Sequence, residues 1–365
     1  MLCMCLPAFA LSGSVLILHS YHPGLTWDQS IQQGIQTVLG AASEEISIQT
    51  EYMDTKRKSD PVQYADLLQN YRHKFAQRHF DVVICSDNNA LNFLLDHGDE
   101  LFGNTPVVFC GVNNFTPDLI AGHEQFTGVA EAVAFGGTIE AVLTLQSDIR
   151  RIFVYGAPTS TWQQNKEMFL RESAAFGGRV EFVVVDELDI PKAKQHIASL
   201  GKDDAVLLTS VYRDAQGELT SFEESTREIS QAAKVPVYGF WDFQLGSGIV
   251  GGKIISGEAQ GETAAQMALR ILSGTPVSEV PIVTESPNRY YFDHVNLARV
   301  GLLNAPRPEG SLVINEPTSW YRENKTLIWT ALSVFTFLML IIVFLVVNIL
   351  QRRRAQAMLR ESEEG

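Results

Sequence analysis

The run Phe80-Asp81-Val82-Val83-Ile84-Cys85-Ser86-Asp87-Asn88-Asn89-Ala90-Leu91-Asn92-Phe93-Leu94-Leu95 reads as a strand, a polar turn and an amphipathic helix. Val82 to Cys85 are apolar without a break, as in strands that are covered on both faces rather than half exposed. Ser86 and Asp87 then stand where short polar side chains satisfy the first N–H groups of a helix. The unit recurs outward in both directions. Strands are expected at Val15–Tyr21, Ile46–Tyr52, Phe80–Ser86, Pro106–Val112 and Phe126–Ala130. A second set follows at Arg151–Tyr155, Val180–Val185, Ala205–Ser210, Val235–Gly239 and Gly248–Ile255. Amphipathic stretches fall between them, among them Trp27–Leu39, Pro61–Gln77, Asn88–Leu95, Gly137–Leu145, Trp162–Ala174, Pro191–Leu200, Phe222–Ala233 and Gly261–Leu272. Asp60-Pro61 and Ser221 with Glu224 three residues on mark two of the helix starts. Alternation of this kind defines an α/β fold with parallel sheets, and about ten strands suit two lobes better than one open sheet. Changes of lobe are expected near Gly128 and near Gly246-Ser247-Gly248, where glycines serve as hinge positions.

Within 365 residues, 28 Lys+Arg face 42 Asp+Glu, a formal net charge of −14. Binding a phosphate backbone requires clustered basic side chains, so nucleic acid is excluded as the main partner. Apolar residues at 45% and charged residues at 19% exclude intrinsic disorder. The mean hydropathy of +0.02 is high for a chain that lies wholly in water. Leu327 to Leu350 carry no charge, and as a helix this segment is about 36 Å long, enough to cross a hydrocarbon core of ~30 Å. Arg352, Arg353 and Arg354 follow it, and Trp320, Tyr321 and Trp329 precede or open it, which places the C-terminus in the cytoplasm. At the other end, an apolar run closes on Ala8-Phe9-Ala10, the small-x-small form of a cleavage site, so residues 1–10 read as a signal-peptide remnant. Residues from about Leu11 to Asn324 are therefore expected outside the cytoplasmic membrane, in the periplasm of a two-membraned bacterium. Cys3 and Cys5 fall in the signal. Cys85 and Cys110 end two apolar strands and leave two readings, a disulfide or a pair of buried thiols, of which the second is favoured.

In open α/β sheets ligands bind beyond the carboxyl ends of the strands. The loops there read Ser20-Tyr21-His22, Ser86-Asp87-Asn88-Asn89, Gly111-Val112-Asn113-Asn114, Tyr155-Gly156-Ala157, Thr209-Ser210-Val211-Tyr212 and Phe240-Trp241-Asp242. Hydroxyls, carboxamides and aromatic rings suit a small polar or zwitterionic ligand. Each also has a bland role: Ser86 and Asp87 as helix caps, Tyr21 and Trp241 as packing aromatics, His22 as a rim residue. No G-x-S-x-G elbow, P-loop or H-E-x-x-H is present, and the eight histidines show no metal-ligand spacing. The run Gly246 to Gly252 lacks a phosphate-binding lysine and reads as a hinge or strand turn. The chain is expected to be no enzyme and to need neither cofactor nor metal.

The segments HSYHPGLTWDQSIQQGIQ, SDNNALNFLL, TPVVFCGVNNF, VPVYGFWDF, GETAAQMALRILSG and YYFDHVNLARVGL resemble, in their order, the exported ABC-transporter substrate-binding-like family with the type I periplasmic-binding-protein fold. The resemblance covers roughly residues 14–303. It implies two Rossmann-like lobes joined by three crossovers and closing on a small ligand, which in some members is an aromatic amino acid. Carried over position by position, it puts Ser20, Tyr21, Ser86, Asp87, Asn113, Thr209 and Trp241 at the ligand. The implied boundaries are a first lobe of about 14–128 and 250–275, a second of about 129–249 and 276–303, a juxtamembrane connector at 304–326, the membrane helix at 327–350 and the start of a cytoplasmic segment at 351–365. A receptor that delivers ligand to a permease is soluble or lipid-anchored, whereas this one is tied to a span. The segment LRESEE beyond that span resembles the helix that enters PAS domains in membrane sensor histidine kinases and diguanylate cyclases. The expectation is thus a ligand-sensing domain that signals across the membrane through lobe closure, homodimeric if its output is a kinase or cyclase. A membrane-tethered substrate-binding component of an uptake transporter is the alternative.

Overall fold

The computed structural model describes residues 12–42, 45–58, 60–157, 159–186, 188–211, 217, 220–317 and 320–363. The signal-peptide remnant and Tyr212 lie outside them. The chain divides after Asn315 into a globular unit and a helical segment.

The globular unit opens with β1 (Gly13–His19), α1 (Thr26–Ala42), β2 (Ile46–Tyr52), α2 (Pro61–Phe75), β3 (Val82–Ser86), α3 (Asp87–Phe102), β4 (Val107–Asn113) and β5 (Phe126–Glu131). These strands form one parallel sheet in the order β2-β1-β3-β4-β5. Side chains alternate between its faces, as a period of two demands. Val15 and Ile17 enter the core with Ile31 and Ile35 of α1, while Leu16 and Leu18 meet Tyr71 and Phe75 of α2 and Leu91 and Leu94 of α3. Burial on both faces explains why β1, β3 and β4 lack polar alternation in the sequence. The cap of α2 is as expected, Asp60 Oδ1 accepting from the Gln63 N–H at 2.9 Å with Pro61 in the first turn.

The pattern then repeats with α4 (Phe135–Leu145), β6 (Arg151–Tyr155), α5 (Ser160–Ser173), β7 (Glu181–Val185), α6 (Ile190–Ala198), β8 (Asp204–Leu208), α7 (Phe222–Ala232), β9 (Val237–Tyr238) and β10 (Gly251–Ile254). The second sheet runs β7-β6-β8-β9-β10, the same permutation as the first, and is extended by β11 (Arg289–Asp293) and β12 (Leu312–Ile314). All its pairs are parallel except β10 with β11. Helix α8 (Gly257–Leu272) returns to the first lobe and packs on α1, and α9 (His294–Arg299) follows β11. The contact of α8 with α1 is backbone to backbone. A Cβ on Gly261 would lie 2.2 Å from the Ile31 carbonyl oxygen, and one on Gly34 2.2 Å from that of Glu258.

Three expected boundaries change. Strand β10 pairs with β9 and β11, so the first lobe regains the chain only at α8, not at residue 250. The segment after α8 stays with the first lobe as far as Val283, which bridges Val129, while Thr127 Oγ1 donates to the Val280 carbonyl at 2.8 Å. Leu312-Val313-Ile314, expected as connector, is β12, registered in parallel on Tyr291–Asp293. The two thiols are free. Ser86, not Cys85, is the partner of Cys110 across β3 and β4, and this offset of one residue sends the two sulfurs to opposite faces of the sheet.

Beyond Asn315 come α10 (Trp320–Glu323) and α11 (Lys325–Glu363). Within its portion Lys325–Gln356 an 18-residue stretch reaches a mean hydropathy of 2.8, and the portion is long and apolar enough to cross a membrane. Apart from half-buried Ile328, its large apolar side chains from Leu327 to Leu350 are exposed.

Candidate ligand-binding cleft

The order β2-β1-β3 in the first sheet and β7-β6-β8 in the second puts a topological switch point between β1 and β3 and another between β6 and β8. Crevices open at such points beyond the carboxyl ends of the strands. The loops that leave β1, β2, β3, β4 and β5 meet those that leave β6, β8 and β9 across a cleft of about 520 Å³, counting the part open to solvent. Tyr21, Leu25, Trp27, Lys56, Asp87, Asn113 and Glu131 line it from the first lobe, and Thr159, Ser210, Phe222, Trp241 and Phe243 from the second.

Of the seven residues expected at the ligand, Tyr21, Asp87, Asn113 and Trp241 line this cleft, and Ser20, Ser86 and Thr209 do not. Those three hydroxyls are spent inside the lobes. Ser20 Oγ donates to the Ser86 carbonyl at 2.6 Å and accepts from the Ala90 N–H at 2.8 Å, so it caps α3 from the neighbouring strand. Ser86 Oγ meets His19 Nδ1 at 2.9 Å, and Thr209 Oγ1 donates to the Tyr155 carbonyl at 3.0 Å. Burial lowers the His19 imidazole to about 4. With the cap supplied by Ser20, Asp87 is released to face the cleft. Its φ of 68° lies in the left-handed region, which Asp enters more readily than most residues, though at a cost, and such strain collects at functional positions.

Two carboxylates are held by indoles. Trp27 Nε1 donates to both Asp87 oxygens at 3.1 and 3.2 Å. Trp241 Nε1 donates to Glu131 Oε1 at 3.0 Å, and Asn113 Nδ2 to Oε2 at 3.4 Å. Asn113 is itself clamped by Asn88, which accepts from its N–H at 3.0 Å and donates to its carbonyl at 3.1 Å. A third carboxylate, Asp28, is fully buried beside them, and neither of its oxygens has a hydrogen-bond partner among the described residues. Burial drives the Glu131 carboxyl up to about 8, with repulsion by Asp87 adding to it. The same burial raises Asp87, and raises Asp28 together with the nearby Asp87 charge; the Tyr21 amide offsets the latter weakly without reaching hydrogen-bond geometry. Opposite them, Lys56 Nζ lies 4.3 Å from the centre of the Tyr21 ring and 5.6 Å from that of Phe222. Burial lowers its ammonium while Asp87, Asp28 and Glu131 oppose the change. The second lobe adds an aromatic wall in which Phe243 stacks on Phe222 at 4.4 Å and on Trp241 at 6.0 Å.

Buried carboxylates beside aromatic faces stabilise a cation both by charge and by the ring quadrupole. Among the described residues no group of three or more His, Cys, Asp or Glu side chains is placed to hold a metal ion. Glu131 had a sequence signal that reading missed, since a carboxylate closing the apolar strand Phe126–Glu131 is the same kind of feature as Asp87 closing Val82–Ser86. Phe243 lies two residues from Trp241 and shares its loop. Lys56 had none, standing among other cations in Lys56-Arg57-Lys58.

A cleft at paired switch points between two lobes of like topology defines the class of two-lobed ligand-binding proteins. The chain belongs to the ABC transporter substrate-binding protein family, whose model matches residues 17–301. Its fold is shared by a ligand-free, open substrate-binding protein with adhesive properties from Clostridium difficile, at a TM-score of 0.61 and 16% identity, over 84% of this chain and 100% of that one. A conserved domain protein from Vibrio cholerae gives 0.56 and 16% over 83% and 99%. An ABC domain from Streptococcus pneumoniae, solved in complex with L-Trp, gives 0.55 and 14% over 82% and 100%. No curated protein matches the chain.

Proposed function

We propose that the globular unit binds a small molecule bearing a cationic amine, outside the cytoplasmic membrane, and that α11 anchors it there as the sensing half of a single-span receptor. The observation that carries the ligand reading is the pair Asp87 and Glu131, two buried carboxylates held by indole N–H groups and facing an aromatic-walled cleft. Each loses hydration on folding and regains a counter-charge when an ammonium group enters. An amino acid meets this requirement, and the Lys56 ammonium in the same lining is of the charge that suits its carboxylate. Hydrogen bonds already cross the cleft, from Thr26 Oγ1 to Glu223 Oε1 at 2.5 Å and from Asn114 Nδ2 to Gln164 Oε1 at 2.6 Å. A ligand that touches both walls favours the closed form by its differential affinity for the two forms. The membrane reading rests on the apolar length of α11 and on Arg352, Arg353 and Arg354 after its apolar stretch. The chain itself is read as no enzyme, with any kinase or cyclase output, and the dimer such an output needs, lying beyond it. The resemblance of LRESEE to PAS-entry helices favours the receptor over the membrane-tethered component of an uptake transporter.

The test is a thermal-shift screen of the full chain in detergent against amino acids, amines, sugars and organic acids. Ligand at a hundred times its Kd raises stability by about 2.7 kcal/mol. Amines or amino acids are the expected hits; shifts only with sugars or organic acids would refute the cationic reading. Topology is read by an impermeant maleimide on spheroplasts. Glu309→Cys labels before lysis and Gln356→Cys only after it; the reverse pattern would refute the orientation.

A further inference from the structure

A second groove lies at the other end of the second sheet. Strand β11 runs antiparallel to β10, so its carboxyl end, and α9 after it, lie away from the cleft. The groove there is bounded by α7, the turn Gly246-Ser247-Gly248, α9 and Asn315, and encloses about 870 Å³ counting the part open to solvent. The turn is shaped by glycine: Gly246 and Gly248 have φ of 75° and 119°, and a Cβ on Gly248 would meet the Ser230 Cβ at 2.5 Å. Together with Gly251 the turn has the spacing G-x-G-x-x-G. It leads into a strand rather than from a strand into a helix, so the dinucleotide-binding context is lacking.

Its side chains are unusual in what they leave unmade. Ser230, Ser247 and Asn296 are 1%, 5% and 9% exposed, and all three line the groove. Ser230 Oγ is buried with no hydrogen-bond partner among the described residues. Two guanidinium groups flank them. Arg299 is held in place by the Ala233 and Gly248 carbonyls at 3.0 and 3.3 Å, and Arg227 lies one helical turn before Ser230. Neither pairs with a carboxylate among the described residues, in a chain whose net charge is −14. The single acid in the lining, Asp293, has both oxygens engaged, one by the Asn296 N–H at 3.0 Å and the other by Asn315 Nδ2 at 2.8 Å. Buried polar groups without partners are costly, and guanidinium groups are suited to oxyanions.

We propose that this groove is a second binding site, for a phosphate-type oxyanion held by Arg227 and Arg299 with the Ser230 and Ser247 hydroxyls and the Asn296 amide. Donors that converge from α7, the glycine turn and α9 suit a tetrahedral anion better than a planar carboxylate. The phosphate belongs to a soluble phosphate ester or to a lipid headgroup, two sources of the same chemistry.

The experiment uses the full chain in nanodiscs of zwitterionic lipid, with inorganic phosphate titrated against chloride at constant ionic strength and thermal unfolding followed by tryptophan fluorescence. Phosphate is expected to raise the melting temperature saturably and chloride is not. Arg227→Gln and Ser230→Ala are each expected to weaken phosphate binding by about tenfold or more. Arg299→Gln also breaks the two carbonyl contacts, so Arg227→Gln, at an exposed position, decides if that variant fails to fold. In nanodiscs rich in anionic phospholipid, a raised melting temperature with no further response to phosphate assigns the site to the headgroup. An unchanged phosphate response there assigns it to a soluble ester. The proposal is overturned if phosphate acts no differently from chloride and the two kinds of disc behave alike, or if Arg227→Gln responds as the parent does. Glu131→Gln in the cleft leaves the phosphate response intact, which separates this site from the amine reading.

Discussion

Replacing Glu131 by Gln keeps the shape of the side chain and removes its charge. A carboxyl that titrates at about 8 rather than 4.5 is destabilised in its ionised form, by 1.36 kcal/mol for each unit between the two values. The sign follows from proton counting. Between pH 4.5 and 8 the folded chain holds a proton on Glu131 that the unfolded chain has lost, so this group's contribution to stability falls as pH rises through that window. The penalty is about 1 kcal/mol at pH 5 and about 4 kcal/mol at pH 8. Gln retains the acceptor for Trp241 Nε1 but turns a donor toward Asn113 Nδ2, 3.4 Å from Oε2, which offsets the gain by about 1 kcal/mol. The variant is therefore expected to be more stable than the parent by about 3 kcal/mol at pH 8 and nearly equal to it at pH 5. For a unit of this size that is about 6 °C in melting temperature at the higher pH, at roughly 2 °C per kcal/mol. Tryptophan fluorescence on heating at both pH values reads it directly. Binding moves the other way: losing a hydrogen bond to a charged carboxylate costs about 1.5–3 kcal/mol, roughly a ten- to hundredfold rise in Kd for an amine ligand at pH 8. A stability difference of the same size at pH 5 and pH 8 would refute the assignment of a buried, proton-holding carboxyl, and an unchanged Kd in the folded variant would remove Glu131 from the site.

Affinity for an amine ligand is expected to rise from pH 6 to pH 8, because the entering ammonium expels the proton that burial holds on Glu131; calorimetry in buffers of different ionisation enthalpy counts the protons released, and none released would contradict it. Gly261→Ala, a change that in an open helix gains about 1 kcal/mol, is expected to lower stability by about 2 kcal/mol, since its Cβ would meet the Ile31 carbonyl oxygen at 2.2 Å. With Cys85 and Cys110 on opposite faces of the first sheet, a reducing agent is expected to leave the melting temperature of the globular unit unchanged, and a fall of several degrees would point to a disulfide.

The sequence exposed the fold where burial is uniform. Val82–Ser86 and Val107–Asn113 are covered on both faces and end at polar turns, so their apolar runs stop where the strands stop. It hid the far edge of the second sheet. Arg289–Asp293 mixes Tyr with charged ends, and Leu312–Ile314 is three residues long and half covered, so neither carries a strand period. At the site, loop position revealed Tyr21, Asp87, Asn113 and Trp241. What loop position cannot reveal is whether a hydroxyl is already engaged: Ser20, Ser86 and Thr209 sit in the same loops and spend their bonds on Ala90, His19 and Tyr155. Lys56 enters the cleft from the loop after β2 and becomes significant only through rings and carboxylates distant in sequence.

The return of α8 to the first lobe has a consequence for how the chain is made. The face of the first sheet that carries Val15 and Ile17 is covered by α1 and by α8, which also touches β3, β4 and β5. During synthesis this lobe stays half covered until Leu272 has left the ribosome, by which time most of the second lobe has emerged as well. Neither half can finish folding as an early N-terminal domain, so the ribosome releases a chain whose two lobes mature together. Such a chain stays incompletely folded through most of its synthesis.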